Sequence, residues 1–173
     1  MNFENYSIRK AKPEDAALLA EAEREIAKIP GRLAPRPEEL KDENVREKIS
    51  SLSQNDSGIY LVLEKNGSIL GHAFLEAHKL AVTAHVVFLT IAIHEGHQGI
   101  GLGKILMQEL IEWAKSQEKI EKLELQVRSS NTRAIRLYES LGFIEEGRKT
   151  KRLKYGINDY QDDIYMALWV GKN

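Results

Sequence analysis

The chain has 173 residues, 42% hydrophobic and 29% charged, with a formal net charge of −1. That mixture suits one folded domain over residues 1–173 and excludes a disordered chain, while the balanced charge gives no global pull toward nucleic acid or an anionic membrane. There is no cysteine, which excludes disulfides, thiolate metal ligands and a cysteinyl acyl-enzyme. The N-terminal stretch MNFENYSIRKAKPEDAALL lacks the basic, apolar and small-residue succession of a secretory signal. No run approaches the ~18–20 apolar residues of a membrane span, so a cytoplasmic protein is expected.

YSIRKA alternates apolar and polar residues and predicts a first strand. Pro13 opens a helical pattern with Glu14 and Asp15 in its first turn, where carboxylates suit the helix dipole. This helix is expected to end near Pro30-Gly31, and the proline-rich stretch PGRLAPRP then makes a stiff loop. A second helix is predicted from about Glu38 to Leu52. GIYLVLEKNGSILGHAFLEAH reads as a hairpin around Asn66-Gly67, the pair that best supplies positive φ in a type I′ turn. HVVFLTIAI, nearly all apolar, predicts a strand buried on both faces. Leu102, Leu106, Leu110 and Trp113 then mark one helical face. KLELQV follows as a strand, and SSNTRAIRLYESLGF as a short helix entered at Asn131 and stopped by Gly142. Phe143 to Leu153 and Tyr160 to Val170 predict two closing strands.

The stretch HQGIGLG lies between a strand and a helix. A helix start offers amides without internal partners and the positive end of a dipole, and glycines let a phosphate approach the backbone closely. A Walker A loop is excluded because Gly103-Lys104 is followed by Ile105, not Ser or Thr. The dinucleotide fingerprint also fails, since Gly99, Gly101 and Gly103 are each two apart. Gln98, Gly101 and Gly103 meet a third pattern, Q/R-x-x-G-x-G/A.

This loop resembles the acetyl-CoA pyrophosphate loop of the GNAT N-acetyltransferase superfamily. A second stretch, NTRAIRLYESLGF, is similar to that family's signature through Asn131, Ala134, Tyr138, Gly142 and Phe143. The order of elements agrees along nearly the whole chain. The resemblance implies an α/β (α+β) fold: a mixed, mostly antiparallel sheet of about seven strands flanked by about four helices. It implies transfer of the acetyl group of acetyl-CoA to a primary amine by direct attack in a ternary complex, with no metal. The acceptor is left open among a small amine, an amino acid and a protein N-terminus.

The resemblance also assigns roles. Backbone amides of Gln98, Gly99, Ile100, Gly101, Leu102, Gly103 and Lys104 would hold the pyrophosphate. The strand ending at Ile91 to Ile93 would pair with the pantetheine and supply an oxyanion donor. Asn131 would contact the pantetheine arm or fix the loop beside it, and Arg133 would meet the ribose 3′-phosphate. Tyr138 would sit by the thioester sulfur. A tyrosine, with a pKa of about 10, stays protonated at neutral pH and can donate to a departing thiolate. In ribosomal-protein and N-terminal acetyltransferases of this family, a strand glutamate twelve residues before the tyrosine often serves as base; here that position is Gln126. Glu124 lies on the same strand face and could act through water; Glu76, His85 and a glutamate from the first helices are further candidates.

Other features read as structural. His94 and His97 are expected to be loop histidines, and nothing joins His72 and His78 into a metal site. RKTKRLK reads as a solvated hairpin face, and Arg32 and Arg36 in the proline-rich loop read as ordinary solvated charges, with attraction of a carboxylate-bearing acceptor as the alternative. A non-catalytic acyl-CoA-binding module is the alternative function; it would not need Tyr138. Homodimers are common in the family, and the last strand is a candidate for such an interface.

Overall fold

The computed structural model describes residues 5–54 and 58–171. Seven strands and four α-helices follow one another as β1 (Tyr6–Lys10), α1 (Ala16–Ala27), α2 (Asp42–Ser53), β2 (Gly58–Lys65), β3 (Ser68–Ala77), β4 (Val86–Ile93), α3 (Leu102–Ser116), β5 (Lys122–Arg128), α4 (Thr132–Ser140), β6 (Ile144–Gly156) and β7 (Asp159–Trp169). The strands form one sheet in the order β1-β2-β3-β4-β5-β7-β6. Every neighbouring pair is antiparallel except β4 and β5. This is the expected mixed, mostly antiparallel α/β architecture.

Strand alternation sorts the apolar side chains onto two faces. On β2, Ile59, Leu61 and Leu63 join the larger core with α3 and the buried part of α4. Tyr60 and Val62 point the other way, into a smaller core with Leu19 and Ala20 of α1 and Val45 and Ile49 of α2. The sheet is therefore sandwiched between two helical layers. Leu102, Leu106 and Leu110 are fully buried as the helical spacing requires. Asn66 and Gly67 turn the β2–β3 hairpin with φ of 52° and 79°. No helix among the described residues is long and apolar enough to cross a membrane.

Two expectations need correction. The second helix begins at Asp42, not Glu38: Pro37–Glu39 form a separate 3-10 turn, and Leu40 is extended with φ −91° and ψ 99°. Nor is β4 buried throughout, because Phe88, Thr90, Ile91 and Ile93 are half-exposed.

The reason lies in the pairing of β4 with β5. The two pair only at Val86–Lys122, Val87–Leu123 and Phe88–Glu124. Beyond that, β4 stays with β3 as far as Ile93, and β5 stays with β7 as far as Arg128. The strands part, and their facing backbone groups have no strand partner over the rest of their length. Unpaired strand edges are strong hydrogen-bonding surfaces. Both candidate pockets open along this split.

Candidate active site

The first pocket, about 260 Å³, runs from the ends of Ile91 and Ile93 to the glycine loop and the start of α4. The loop is built to leave amides free. Gly99 and Gly101 have φ of +89° and +90°, a region other residues enter at a cost. Among the described residues, the amides of Gln98, Gly99, Ile100, Gly101, Leu102 and Gly103 donate to no backbone carbonyl. The amide of Lys104, expected to belong to this set, donates instead to Gly101 O at 3.0 Å and closes the first turn of α3. Its side chain still borders the pocket. Gly103 serves packing: a Cβ there would sit 3.3 Å from Leu137 Cδ2. The side chain of Leu102 belongs to the core, so only its backbone faces this region.

Gln98 braces the loop at both ends of its amide. Its Nε2 donates to Ile93 O at 3.0 Å, and its Oε1 accepts from Arg32 Nη1 at 2.6 Å. Asn131 caps α4, its Oδ1 accepting from the Ala134 amide at 3.3 Å. The guanidinium of Arg133 lies over Gly99, where a Cβ would come within 3.1 Å of Nη2. The loop, Asn131 and Arg133 thus gather at one end of one cavity.

The second pocket, about 360 Å³, opens on the other side of the parted strands. Thr90 and Ile91 of β4 face Gln126 and Arg128 of β5 across it. Leu33, Pro35 and Leu40, from the segment between α1 and α2, form part of its wall, and Glu23 of α1 opens into it. That segment is anchored at Gly31 (φ +83°), so close to Ser130 Oγ that a Cβ would lie at 2.7 Å. Arg128 is buried against Asp163, leaving its Nε without a protein partner.

Arg32, Leu33, Ile91, Asn131 and Tyr138 border both pockets. Tyr138 is buried, with its ring 6.0 Å from that of Phe143. Burial pushes its hydroxyl up to about 12, partly opposed by the charge of Arg128. It therefore keeps its proton across the physiological range.

The structure does not bring Glu124 to either pocket. Glu124 lies where β4 and β5 are still paired, bound to Lys122 Nζ at 2.9 Å and 3.9 Å from His78 Nε2. Of the other base candidates, Glu76 is held by Lys48 Nζ at 2.5 Å. Neither it nor His85 borders a pocket. The residue that sequence reasoning did not single out is Glu23. Its Oε1 lies 2.9 Å from Nε2 of His72, whose Nδ1 lies 3.1 Å from Nε2 of His94. His94 is thus no solvated loop histidine. It is buried, its Nδ1 lies 3.0 Å from Ile69 O, and burial pushes its pKa down from 6.5 to about 4.

The model of the Acetyltransferase (GNAT) family matches residues 19–143. The chain belongs to the GNAT family, and with it to the acetyl-CoA-dependent acyltransferases. It is 33% identical over 123 residues to the ribosomal protein bS18 alanine N-acetyltransferase of Escherichia coli (strain K12), a match covering 70% of this chain and 78% of that protein. It is 30% identical over 103 residues to the L-amino acid N-acetyltransferase AaaT of the same strain, covering 59% of this chain and 62% of AaaT. A GNAT-family acetyltransferase from Streptococcus pneumoniae superposes with a TM-score of 0.86 at 28% identity, covering 96% of this chain and 99% of the other. The fold is also that of yncA from Salmonella typhimurium, solved with acetyl-CoA, with a TM-score of 0.87 at 23% identity over 98% and 96% of the two chains.

Proposed function

We propose that this acetyltransferase transfers the acetyl group of acetyl-CoA directly to the amine of a small, carboxylate-bearing acceptor, in chemical class a free amino acid. The observation that carries this reading is the meeting of two pockets at Tyr138, one lined by free loop amides and the other by Gln126 and two arginines. The amides between Gln98 and Gly103 suit a pyrophosphate, with Lys104 and Arg133 adding positive charge beside them. The unpaired edge of β4 at Ile91 to Ile93 suits the amides of pantetheine, which would add to it like a strand. Asn131, with its Oδ1 spent on the cap, offers its amide nitrogen to the same arm.

On the acceptor side, Arg128 is spent on Asp163, whereas Arg32 has only one N–H engaged, by Gln98. Arg32 is thus the cation available for an acceptor carboxylate. Gln126 stands where related N-terminal acetyltransferases often carry a glutamate, which favours a small acceptor over a protein N-terminus. The likeness to AaaT, an L-amino acid N-acetyltransferase, points the same way.

In the reaction, the amine nitrogen attacks the thioester carbon, the C–S bond breaks, and the sulfur takes the proton of Tyr138. An amide of the β4 edge near Ile91 to Ile93 suits the transient oxyanion. Release of CoA thiol, followed with amino acids, polyamines and short peptides as acceptors, tests the reading. The expected result is a kcat/KM for at least one amino acid about tenfold or more above that for any peptide. A preference for peptides overturns the acceptor class, and silence with every amine overturns the reading itself.

A further inference from the structure

The proposed reaction needs a group that removes a proton from the acceptor ammonium. Glu124 is held by Lys122, and Gln126 takes up no proton near neutral pH. Among the described residues the second pocket has one carboxylate on its wall, Glu23, and it is the outer member of a buried chain of hydrogen-bonding groups.

The protons of this chain follow from its inner end. Ile69 O can only accept, so Nδ1 of His94 carries a hydrogen. His94 is neutral, so its Nε2 is a lone pair and accepts from Nδ1–H of His72. That fixes the tautomer of His72 and turns its Nε2 toward Glu23 Oε1, 2.9 Å away. A carboxylate oxygen and a bare imidazole nitrogen repel at that distance, so the contact has a place for one proton between them. With it, the pair carries no net charge; without it, the pair is an anion. The side chains of His72 and Glu23 are only 0% and 13% exposed, so solvent has little access to the contact between them. The pair is therefore built to take up one proton. Its second carboxylate oxygen, which has no protein donor among the described residues, is the point of entry from the pocket.

Resting on the acetyl-transfer reading above, we infer that Glu23 takes the proton of the incoming ammonium, with His72 and His94 behind it as positioning residues that receive and hold that proton. One N–H bond breaks and the proton passes to the Glu23–His72 pair. The nitrogen lone pair forms the C–N bond. The C–S bonding pair leaves with sulfur, which is protonated by Tyr138, and the second nitrogen proton, lost to water as the intermediate collapses, restores the tyrosine. The pair returns its own proton to solvent before the next turnover, so the sum is one CoA thiol, one amide and one released proton.

Other groups set the field. Tyr60 of β2 stacks on His72 at 5.9 Å, and its buried hydroxyl, without a protein partner, is pushed up by burial and by the nearby Glu23 and Asp15. His97 lies beyond His94. Arg32, Arg128 with its Asp163, and Tyr138 face the same pocket. Lys48, paired with Glu76, sits over Phe74 on the pocket wall. Arg32 and Arg128 favour the anionic, proton-accepting state.

The test is the pH profile of kcat/KM in the wild type, Glu23→Gln, Glu23→Asp and His72→Gln, with acetyl-CoA affinity measured alongside. In the wild type, activity is expected to rise with pH along a limb set by the pair as one unit. Glu23→Gln is expected to lose about 100-fold or more in kcat and to abolish that limb while binding acetyl-CoA normally. Glu23→Asp recovers part of the rate. His72→Gln is expected to lower kcat and alter that limb while acetyl-CoA affinity stays unchanged. In imidazole nitrogen NMR, His72 is expected to report a single step that Glu23→Gln removes. Glu23→Gln with wild-type turnover and an unchanged limb overturns the inference and leaves the acetyltransferase reading standing. Independent titrations of His72 and Glu23 also overturn it. A wild type silent with every amine overturns both, and one that turns over a different amine class moves the acceptor while the Glu23 test proceeds with that amine.

Discussion

The two pockets that meet at Tyr138 are made of different material. The glycine-loop pocket is largely a backbone construction: consecutive free amides, two glycines at positive φ and a strand edge without a partner. The second pocket is a side-chain construction, in which α1, β4, β5 and the segment between α1 and α2 each contribute. A backbone site recognises a group common to every reaction of the family, whereas a side-chain site can be changed one residue at a time. The difference teaches where specificity resides in this molecule. It also orders the experiments, because each pocket can be disturbed with the other as its control.

The largest effect is expected at the shared residue. Tyr138→Phe keeps the ring packed on Phe143 and removes only the hydroxyl. It is expected to lower kcat by about 100-fold or more with little change in acetyl-CoA affinity. Steady-state kinetics and calorimetry on the same samples check this. Because burial pushes that hydroxyl up to about 12, loss of the tyrosine proton should produce no fall in activity below about pH 10. Unchanged turnover would remove the tyrosine from the chemistry.

The next effect concerns the buried histidines behind the acceptor pocket. His94 has its folded pKa pushed down from 6.5 to about 4, chiefly by burial and then by His72. Above pH 6.5 it is neutral folded or unfolded and leaves stability untouched. As pH falls from 6.5 toward 4, the unfolded chain takes up a proton that the folded one refuses, and stability is lost. At about 1.4 kcal/mol per pKa unit, this amounts to about 3 kcal/mol by pH 4. Denaturant titrations at pH 7 and pH 4 check it against His94→Gln. The stability gap between wild type and variant should shrink by about that amount at the acid end.

Arg32 comes third and separates the pockets, since it touches both. Loss of a charged hydrogen bond to an acceptor carboxylate costs about 1.5–3 kcal/mol. Arg32→Gln is expected to raise KM for amino acids about tenfold or more, with kcat little changed. Turnover of an amine without a carboxylate should not respond. If acetyl-CoA affinity falls instead, the contact of Arg32 with Gln98 is its principal role.

The same division explains how much was legible in the sequence. The Asn131 cap spans three residues and the turn at 98–103 is shaped by its own glycines, so the spacing of Gly99, Gly101, Asn131 and Gly142 displays them directly. The chain order of strands and helices was legible for the same reason: apolar periodicity is local. The relay was not, because Glu23 and His72 are 49 residues apart and His72 and His94 are 22 apart. The histidines meet through the register of β3 on β4, which pairs His72 with Ala92, and Glu23 reaches them through the packing of α1 on the sheet. The parting of β4 from β5 was hidden too. The apolar run HVVFLTIAI reads as a fully buried strand because its half-exposed residues line a cleft, and composition does not distinguish a cleft from a core. The helix start was misplaced from Asp42 to Glu38 because Glu38, Glu39, Asp42 and Glu43 all suit a first turn.

The smallest effect tests the backbone pocket on its own terms. Gly101 and Gly103 sit two apart in one motif, yet only Gly101 has the left-handed φ, at +90°. Alanine at Gly101 must adopt that conformation at a cost of about 1–2 kcal/mol or shift the amides on either side. Either way, Gly101→Ala should weaken acetyl-CoA about tenfold, read by calorimetry, with acceptor preference intact. At Gly103 the added methyl meets the flexible end of Leu137 at 3.3 Å, inside a helix that gains from alanine. The two effects oppose each other, so Gly103→Ala should change stability and affinity by no more than about 0.5 kcal/mol. Equal losses at both positions would mean that the motif serves packing throughout. The unequal result assigns one glycine to the ligand and the other to the helix behind it.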